Sequence, residues 1–316
     1  MKANDLKNKN SLLVGLFGKP TSAKSSGLAF SVATLLPTVL SFVFLFALAC
    51  FGVSEEFQNT DGYLYANFLL PQIAFALVAF FYLRYNNLSL TATVRQQKCK
   101  PKYFLVALIL QIGLFGLSEV NGLFLEWLQK FGYQDAGISL PSVDGFGFVG
   151  VLLVIGVFAS VLEEIVFRGV LLNGLKNTFS VPVAVLICGA LFALFHQNPA
   201  QTIYQFCCGT AFALVAIKAG SVLPTVLAHF VNNTVILILY KAGVTYFPTP
   251  IFISIVCVSA FCLIGALWYL LVIDKDKKET EQTENKAEER KNFFLYSSVG
   301  IALCTLTWLF VLFSGM

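Results

Sequence analysis

The chain has 316 residues, 57% of them hydrophobic and only 12% charged, with a formal net charge of +4. A soluble domain carries about 25% charged residues, so this composition leaves too little polar surface for a water-facing exterior. It reads as an integral membrane protein, and nothing in its charge suggests nucleic-acid binding; thirty-two Phe against two Met fit a lipid-facing surface better than a soluble core.

A helix needs about 20 apolar residues to cross a bilayer. By that measure nine candidate spans follow in chain order, near 28–52, 63–84, 103–126, 147–174, 180–198, 201–219, 221–240, 249–273 and 293–314. The fold expected is all-α and polytopic, with eight or nine transmembrane helices. It divides into a cytosolic tail (1–27), membrane helices and loops (28–146), a core whose helices carry polar groups (147–240), a further helix (241–273), a charged cytosolic loop (274–292) and a last membrane helix (293–316). The first apolar run starts near Leu28 after five lysines and is longer than the core of a cleavable signal peptide.

Arg and Lys act as topology markers. With the N-terminus in the cytosol, 19 of the 21 Lys and Arg fall inside, and only Lys130 and Lys241 fall outside. Glu55, Glu56, Asp61, Glu126, Asp135 and Asp144 also fall outside. The expected location is a bacterial cytoplasmic membrane, with the N-terminus cytosolic. Of the eight cysteines only Cys99 lies in a polar loop, so the thiols read as small apolar residues rather than disulfides. The aromatic stretches Phe44–Phe51 and Phe75–Tyr82 read as lipid-facing packing.

Charged groups within the hydrocarbon need a reason, because each costs at least about 2.5–3.5 kcal/mol to insert. Span four holds Glu163, Glu164 and Arg168, span five ends with Phe192 and His196, and span seven holds His229, Asn232 and Asn233. A lone Glu119 lies on span three. Glu164 and Arg168, four apart, can pair on one helical face, while Glu163 points about 100° away and is free to face something else. His229 and Asn233 share a face, and Phe192 lies one turn before His196, where its ring can hold the imidazole. These are the only two histidines of the chain, and both lie among other polar groups.

A carboxylate in a low-dielectric site is suited to general-base work, and a neutral imidazole can hold a water. An imidazole and a carboxamide on one face offer two donors to a developing oxyanion. This set suffices for water attack on a carbonyl with no side-chain nucleophile. The rival is zinc held by Glu163, His196 and His229, although no His-Glu-x-x-His occurs. Gly145-x-Gly147-x-x-Gly150 has dinucleotide-loop spacing, but no strand precedes it.

The motifs Glu163-Glu164-x-x-x-Arg168, Phe192-x-x-x-His196 and His229-x-x-x-Asn233 resemble, in order and spacing, those of the CPBP family of intramembrane endopeptidases. That family includes the type II CAAX prenyl proteases and the bacteriocin-processing or self-immunity (Abi) proteins. The resemblance covers about 147–240 and implies a metal-independent, glutamate-dependent intramembrane protease. It implies Glu163 as the base, His196 as a holder of the water, and His229 with Asn233 as the oxyanion hole. Glu164 and Arg168 would be structural or would position substrate. It also implies a conical cavity open to the cytosol, reaching Glu163 at mid-span. The expected partners are the lipid bilayer and a membrane-associated protein or peptide substrate, and the short loops favour bacterial peptide processing or immunity over CAAX maturation. Two alternatives remain: a non-catalytic scaffold or bacteriocin-immunity protein that keeps the motifs, and a proton-coupled carrier in which Glu119 would matter as much as Glu163.

Overall fold

The computed structural model describes residues 22–94, 99–244, 246–275 and 285–316, and every regular element among them is helical. The principal helices are α1 (Ala23–Cys50), α2 (Asp61–Tyr85), α3 (Lys102–Gln129), α4 (Phe146–Thr178), α5 (Val181–Phe195), α6 (Thr202–Ala219), α7 (Leu223–Lys241), α8 (Thr249–Ile273) and α9 (Lys286–Ser314). All except α5 are long and apolar enough to cross a membrane, once the short turn at Pro199–Gln201 that leads into α6 is included.

Local chemistry sets many of the helix ends. Ser22 caps α1 by accepting from the Ser25 amide, and Thr60 caps α2, whose first turn carries Asp61 on the favoured side of the helix dipole. Gly220 closes α6 at φ +60°, a left-handed conformation that glycine adopts without strain. Helix α1 begins at Ala23 rather than Leu28, and α9 at Lys286 rather than near 293, because each polar first turn continues the helix beyond its apolar run. Most of the expected tail (1–21) and of the charged loop (276–284) lies outside the described residues.

The fifth expected span is where the structure differs most. Helix α5 has 15 residues, about 22 Å at 1.5 Å per residue, which is short of the roughly 30 Å hydrocarbon thickness. Its C-terminus therefore stops within the bundle, where Asn198 accepts from the Ala200 amide and turns the chain into α6. Asn121 of α3 fixes this apex, donating to the Ala200 carbonyl and accepting from the Tyr204 amide.

The bundle has two distinct ends. At one, the Ser142 amide donates to Asp61, Tyr65 donates to the Gly147 carbonyl, the Gln134 amide to the Gly315 carbonyl, and Lys241 to the Val143 carbonyl. At the other, Lys102 and Tyr103 meet Asp274 at 2.8 Å, Lys218 donates to the Asp274 carbonyl, and the Val222 amide to the Val94 carbonyl. Between them lie two main apolar clusters. One joins Phe30, Phe75, Phe167, Leu171, Cys188 and Phe192; the other joins Leu110, Leu114, Phe212, Val215, Ala228 and Leu270.

The outer surface bears exposed Phe42, Phe46, Phe261 and Phe310, as a lipid-facing exterior requires. The stretch Phe75–Tyr82 is divided rather than uniformly lipid-facing: Phe80 and Phe81 are exposed, whereas Phe75 and Tyr82 are buried against the core. All eight cysteines are free thiols, with Cys188, Cys208 and Cys304 buried.

Candidate active site

Glu163 and Glu164 lie in the α-helical segment Ala159–Glu164 of α4, between π-helical stretches at Leu152–Phe158 and Ile165–Leu171. Such wider turns are frequent at functional sites because they change which face each side chain occupies. The two neighbouring carboxylates diverge, as the 100° offset predicts.

Glu164 is fully buried. Its Oε1 accepts from Arg168 Nη1 at 2.8 Å and from His229 Nδ1 at 3.0 Å. Arg168 also donates from Nη2 to the Gly209 carbonyl at 3.2 Å, and its guanidinium lies 4.4 Å from the centroid of Phe192 and 5.5 Å from that of Phe212. This is a desolvated ion pair joining α4, α6 and α7. Glycine at 209 is required there, because a Cβ would lie 2.9 Å from Gly189 Cα and 3.0 Å from Phe192 Cβ.

Glu163 faces the other way, into a cavity of about 1040 Å³. It is 8% exposed, and its Oε2 makes no hydrogen bond to the protein among the described residues. Facing it is His229 Nε2 at 4.0 Å. That separation is too long for direct donation but suits two groups that share a water.

Both histidines have fixed orientations. His196 Nδ1–H donates to the Phe192 carbonyl at 2.8 Å, since a carbonyl can only accept. Its Nε2 is thereby left as the free ring nitrogen, and the Phe192 ring packs edge-on at 4.8 Å. In the same way, the His229 Nδ1–H bond to Glu164 leaves Nε2 to serve the cavity side. In its imidazolium form His229 donates from both nitrogens, and the charges of Glu163, Glu164, Arg168 and His229 then sum to zero. His196, His229, Asn232 and Asn233 all line the cavity with Glu163.

Asn233 Nδ2 donates to the Ile155 carbonyl at 2.8 Å, which uses one of its two amide hydrogens. Sequence reasoning missed what holds it. Gln111 Nε2 (2.9 Å) and Tyr204 OH (2.7 Å) both donate to Asn232 Oδ1, and Asn232 Nδ2 donates to Asn233 Oδ1 at 3.1 Å. Asn232 was visible beside Asn233, but Gln111 and Tyr204 belong to no spaced motif. Glu119, set aside from the site in the protease reading of the sequence, also lines the cavity.

The wall descends to Glu163 from the end of the bundle that holds the 130–145 and 242–248 connections. Asp135, Ile138 and Leu140 from the first and Phe247 from the second lie on it. Among the described residues, none from the opposite end lines it. Among the described residues no three His, Cys, Asp or Glu side chains group closely enough to hold one metal ion.

No curated protein and no solved structure matches the chain. Residues 145–235 match the family model described as "Type II CAAX prenyl endopeptidase Rce1-like", a segment that contains every motif residue of the site. Over that segment, the chain is similar to the type II CAAX prenyl endopeptidases.

Proposed function

We propose that the protein is an intramembrane endopeptidase that cleaves a membrane-associated protein or peptide by water attack, with Glu163 as the base. The observation that carries this reading is the division of labour between neighbouring carboxylates. Glu164 is committed through Oε1 to Arg168 and His229, while Glu163 lies on the cavity wall and faces His229 Nε2 across 4.0 Å.

The water is held between the Glu163 carboxylate and the free Nε2 of His196. Glu163 takes a proton as the water oxygen bonds to the scissile carbonyl carbon. The oxyanion so formed is met by His229 Nε2–H, from the imidazolium form, and by the remaining amide hydrogen of Asn233. Collapse breaks the C–N bond, and Glu163 returns its proton to the leaving amine, so atoms and charge balance. No side-chain nucleophile and no metal takes part in this scheme. Glu164 and Arg168 position His229 rather than touching substrate.

The test compares Glu163→Gln with wild type, as purified protein on a quenched peptide library and in membranes of complemented cells analysed for peptide termini. Loss of the base should lower cleavage roughly 10²–10⁴-fold, and termini seen with wild type should vanish. Identical termini for both proteins, with the biological effect retained, would sink the enzyme reading and leave a non-catalytic role.

A further inference from the structure

We propose that Gln72 is a substrate-binding residue whose carboxamide hydrogen-bonds a backbone peptide unit of the segment being cut, next to the scissile bond. The inference rests on the protease reading of the cavity. It adds to that reading a residue from α2, a helix that carries none of the sequence motifs.

Helix α2 reaches the site through its packing. Phe75 is buried, with its ring 5.0 Å from that of Phe195 and 6.2 Å from that of Phe167, which fixes this face of α2 against α5 and α4. Gln72 lies three residues before Phe75 and four after Phe68, so the three share a face. Phe68 and Gln72 line the cavity, and Phe75 lies in the core. Helices α2 and α7 both pack against the Ala159–Glu164 segment. Glu163 is therefore flanked by Gln72 from one helix and by His229 and Asn233 from another, and all four line the same cavity.

The second support is the state of the amide. Gln72 is 8% exposed, and its Oε1 is buried with no hydrogen-bond partner among the described residues. The asparagines of the wall are already engaged: Asn121, Asn232 and Asn233 each bond through both oxygen and nitrogen. Gln201 and Gln205 also line the cavity but are only partly buried. Gln111 has a similarly unmet Oε1, yet it lies outside the lining, and its Nε2 donates to Asn232. A buried amide with nothing to bind is costly. On the wall of this cavity that cost falls at Gln72.

Chemistry identifies the partner. A primary amide offers an acceptor and two donors, the complement of a peptide unit with its one N–H and one C=O. A peptide that enters a membrane-embedded cavity loses water from these backbone groups, and each needs a replacement partner. Peptide units of an extended chain follow one another about every 3.3 Å. With the scissile carbonyl held by His229 and Asn233, the neighbouring units run along the wall to which α2 contributes Gln72. A hydrocarbon chain at this point would leave the carboxamide unmet, so the group beside Gln72 is backbone rather than lipid.

The test is a double-mutant cycle between enzyme and substrate, using the full-length protein in micelles and a reporter peptide from the quenched library that wild type cuts. Each peptide bond except the scissile one is replaced in turn by an ester, which lacks the N–H and has a weaker carbonyl acceptor. At one position the ester should lower wild-type kcat/KM by roughly tenfold, the worth of one hydrogen bond, chiefly through KM. Gln72→Met should lose roughly tenfold on the all-amide peptide and show no further loss with that ester. Gln72→Leu, of different shape and equally without a hydrogen-bonding group, should repeat the pattern and serves if the methionine variant does not fold. Ester losses that are the same in wild type and variants at every position, as expected if Gln72 only packs the wall or holds water, overturn the assignment. So does full wild-type activity in either variant. A wild type that cuts no peptide overturns the protease reading and this assignment with it, whereas additive losses overturn this assignment alone.

Discussion

Arg168→Met isolates what the buried ion pair contributes. The Arg168 and Glu164 side chains have no solvent exposure, and the guanidinium is held by Glu164 at 2.8 Å, the Gly209 carbonyl at 3.2 Å and the Phe192 face. Methionine keeps much of the aliphatic volume but leaves Glu164 as a carboxylate facing only His229. Removing one partner of a buried pair destabilises by about 3–5 kcal/mol, whereas replacing both is often close to neutral. Adding Glu164→Gln to Arg168→Met should therefore restore most of the loss, because the amide oxygen still accepts from His229. What remains is the lost Arg168 bond to the Gly209 carbonyl, which still accepts within α6. The assay is reversible unfolding of the four proteins of the double-mutant cycle in mixed micelles, read by the fluorescence of Trp127, Trp268 and Trp308. The expected coupling is about 2–3 kcal/mol. An Arg168→Met protein within about 0.5 kcal/mol of wild type, the range of unimportant surface changes, would refute the reasoning. So would a double variant weaker than either single one.

Gly209→Ala would push a methyl against Gly189 and Phe192 and should destabilise by about 1–3 kcal/mol through overpacking; an unchanged melting temperature in detergent would show that the α5–α6 crossing yields where an added Cβ would lie 2.9 Å from Gly189 Cα. Tyr204→Phe deletes one of two donors to Asn232 Oδ1 and should lower peptide cleavage by roughly tenfold or less, in line with about 0.5–1.5 kcal/mol for one hydrogen bond, with KM nearly unchanged. An abolished reaction would instead make the Tyr204 hydroxyl a direct participant. Chelation of the purified protein with a strong zinc ligand should leave cleavage intact, and loss of activity reversed by added zinc would restore the metal reading of Glu163, His196 and His229.

What the sequence made legible were features set by periodicity and local spacing. Runs of about twenty apolar residues announced the long helices, and the four-residue offsets of Glu164–Arg168 and His229–Asn233 predicted shared faces. The divergence of Glu163 from Glu164 follows from helical geometry alone. What stayed hidden depended on distance in the chain. Helix α5 reads as a full span because the polar residues after His196 are few, and only the Asn121 bonds to Ala200 and Tyr204 show that the chain turns back inside the bundle. Gln111 meets Asn232 across 121 residues and Tyr204 across 28, so no local pattern could connect them. Phe75 and Phe80 look alike in sequence, yet α2 presents one to the core and the other to lipid. The direction of the cavity was equally invisible, because it depends on which face of each helix is left without a neighbour.

These polar groups are arranged to be rigid at the floor of the cavity and wet at its mouth. Backbone groups in hydrocarbon must be satisfied internally, and the side chains here follow a similar rule in two layers. Below the floor, Arg168, Glu164 and the Gly209 carbonyl are packed among Phe167, Phe192 and Phe212, where low dielectric strengthens each contact and water is excluded. Above it, Gln111, Tyr204, Asn232, Asn233 and the Ile155 carbonyl form a chain of hydrogen bonds across α3, α6, α7 and α4. Both layers act on α7, one on His229 and the other on Asn233 a turn later, so the two groups proposed to meet an oxyanion are fixed relative to each other before substrate arrives. Glu163 stands between the layers and faces the cavity. A hydrolase working within a membrane needs that asymmetry: its base must reach water from one side, while the groups that orient the reaction stay dry on the other.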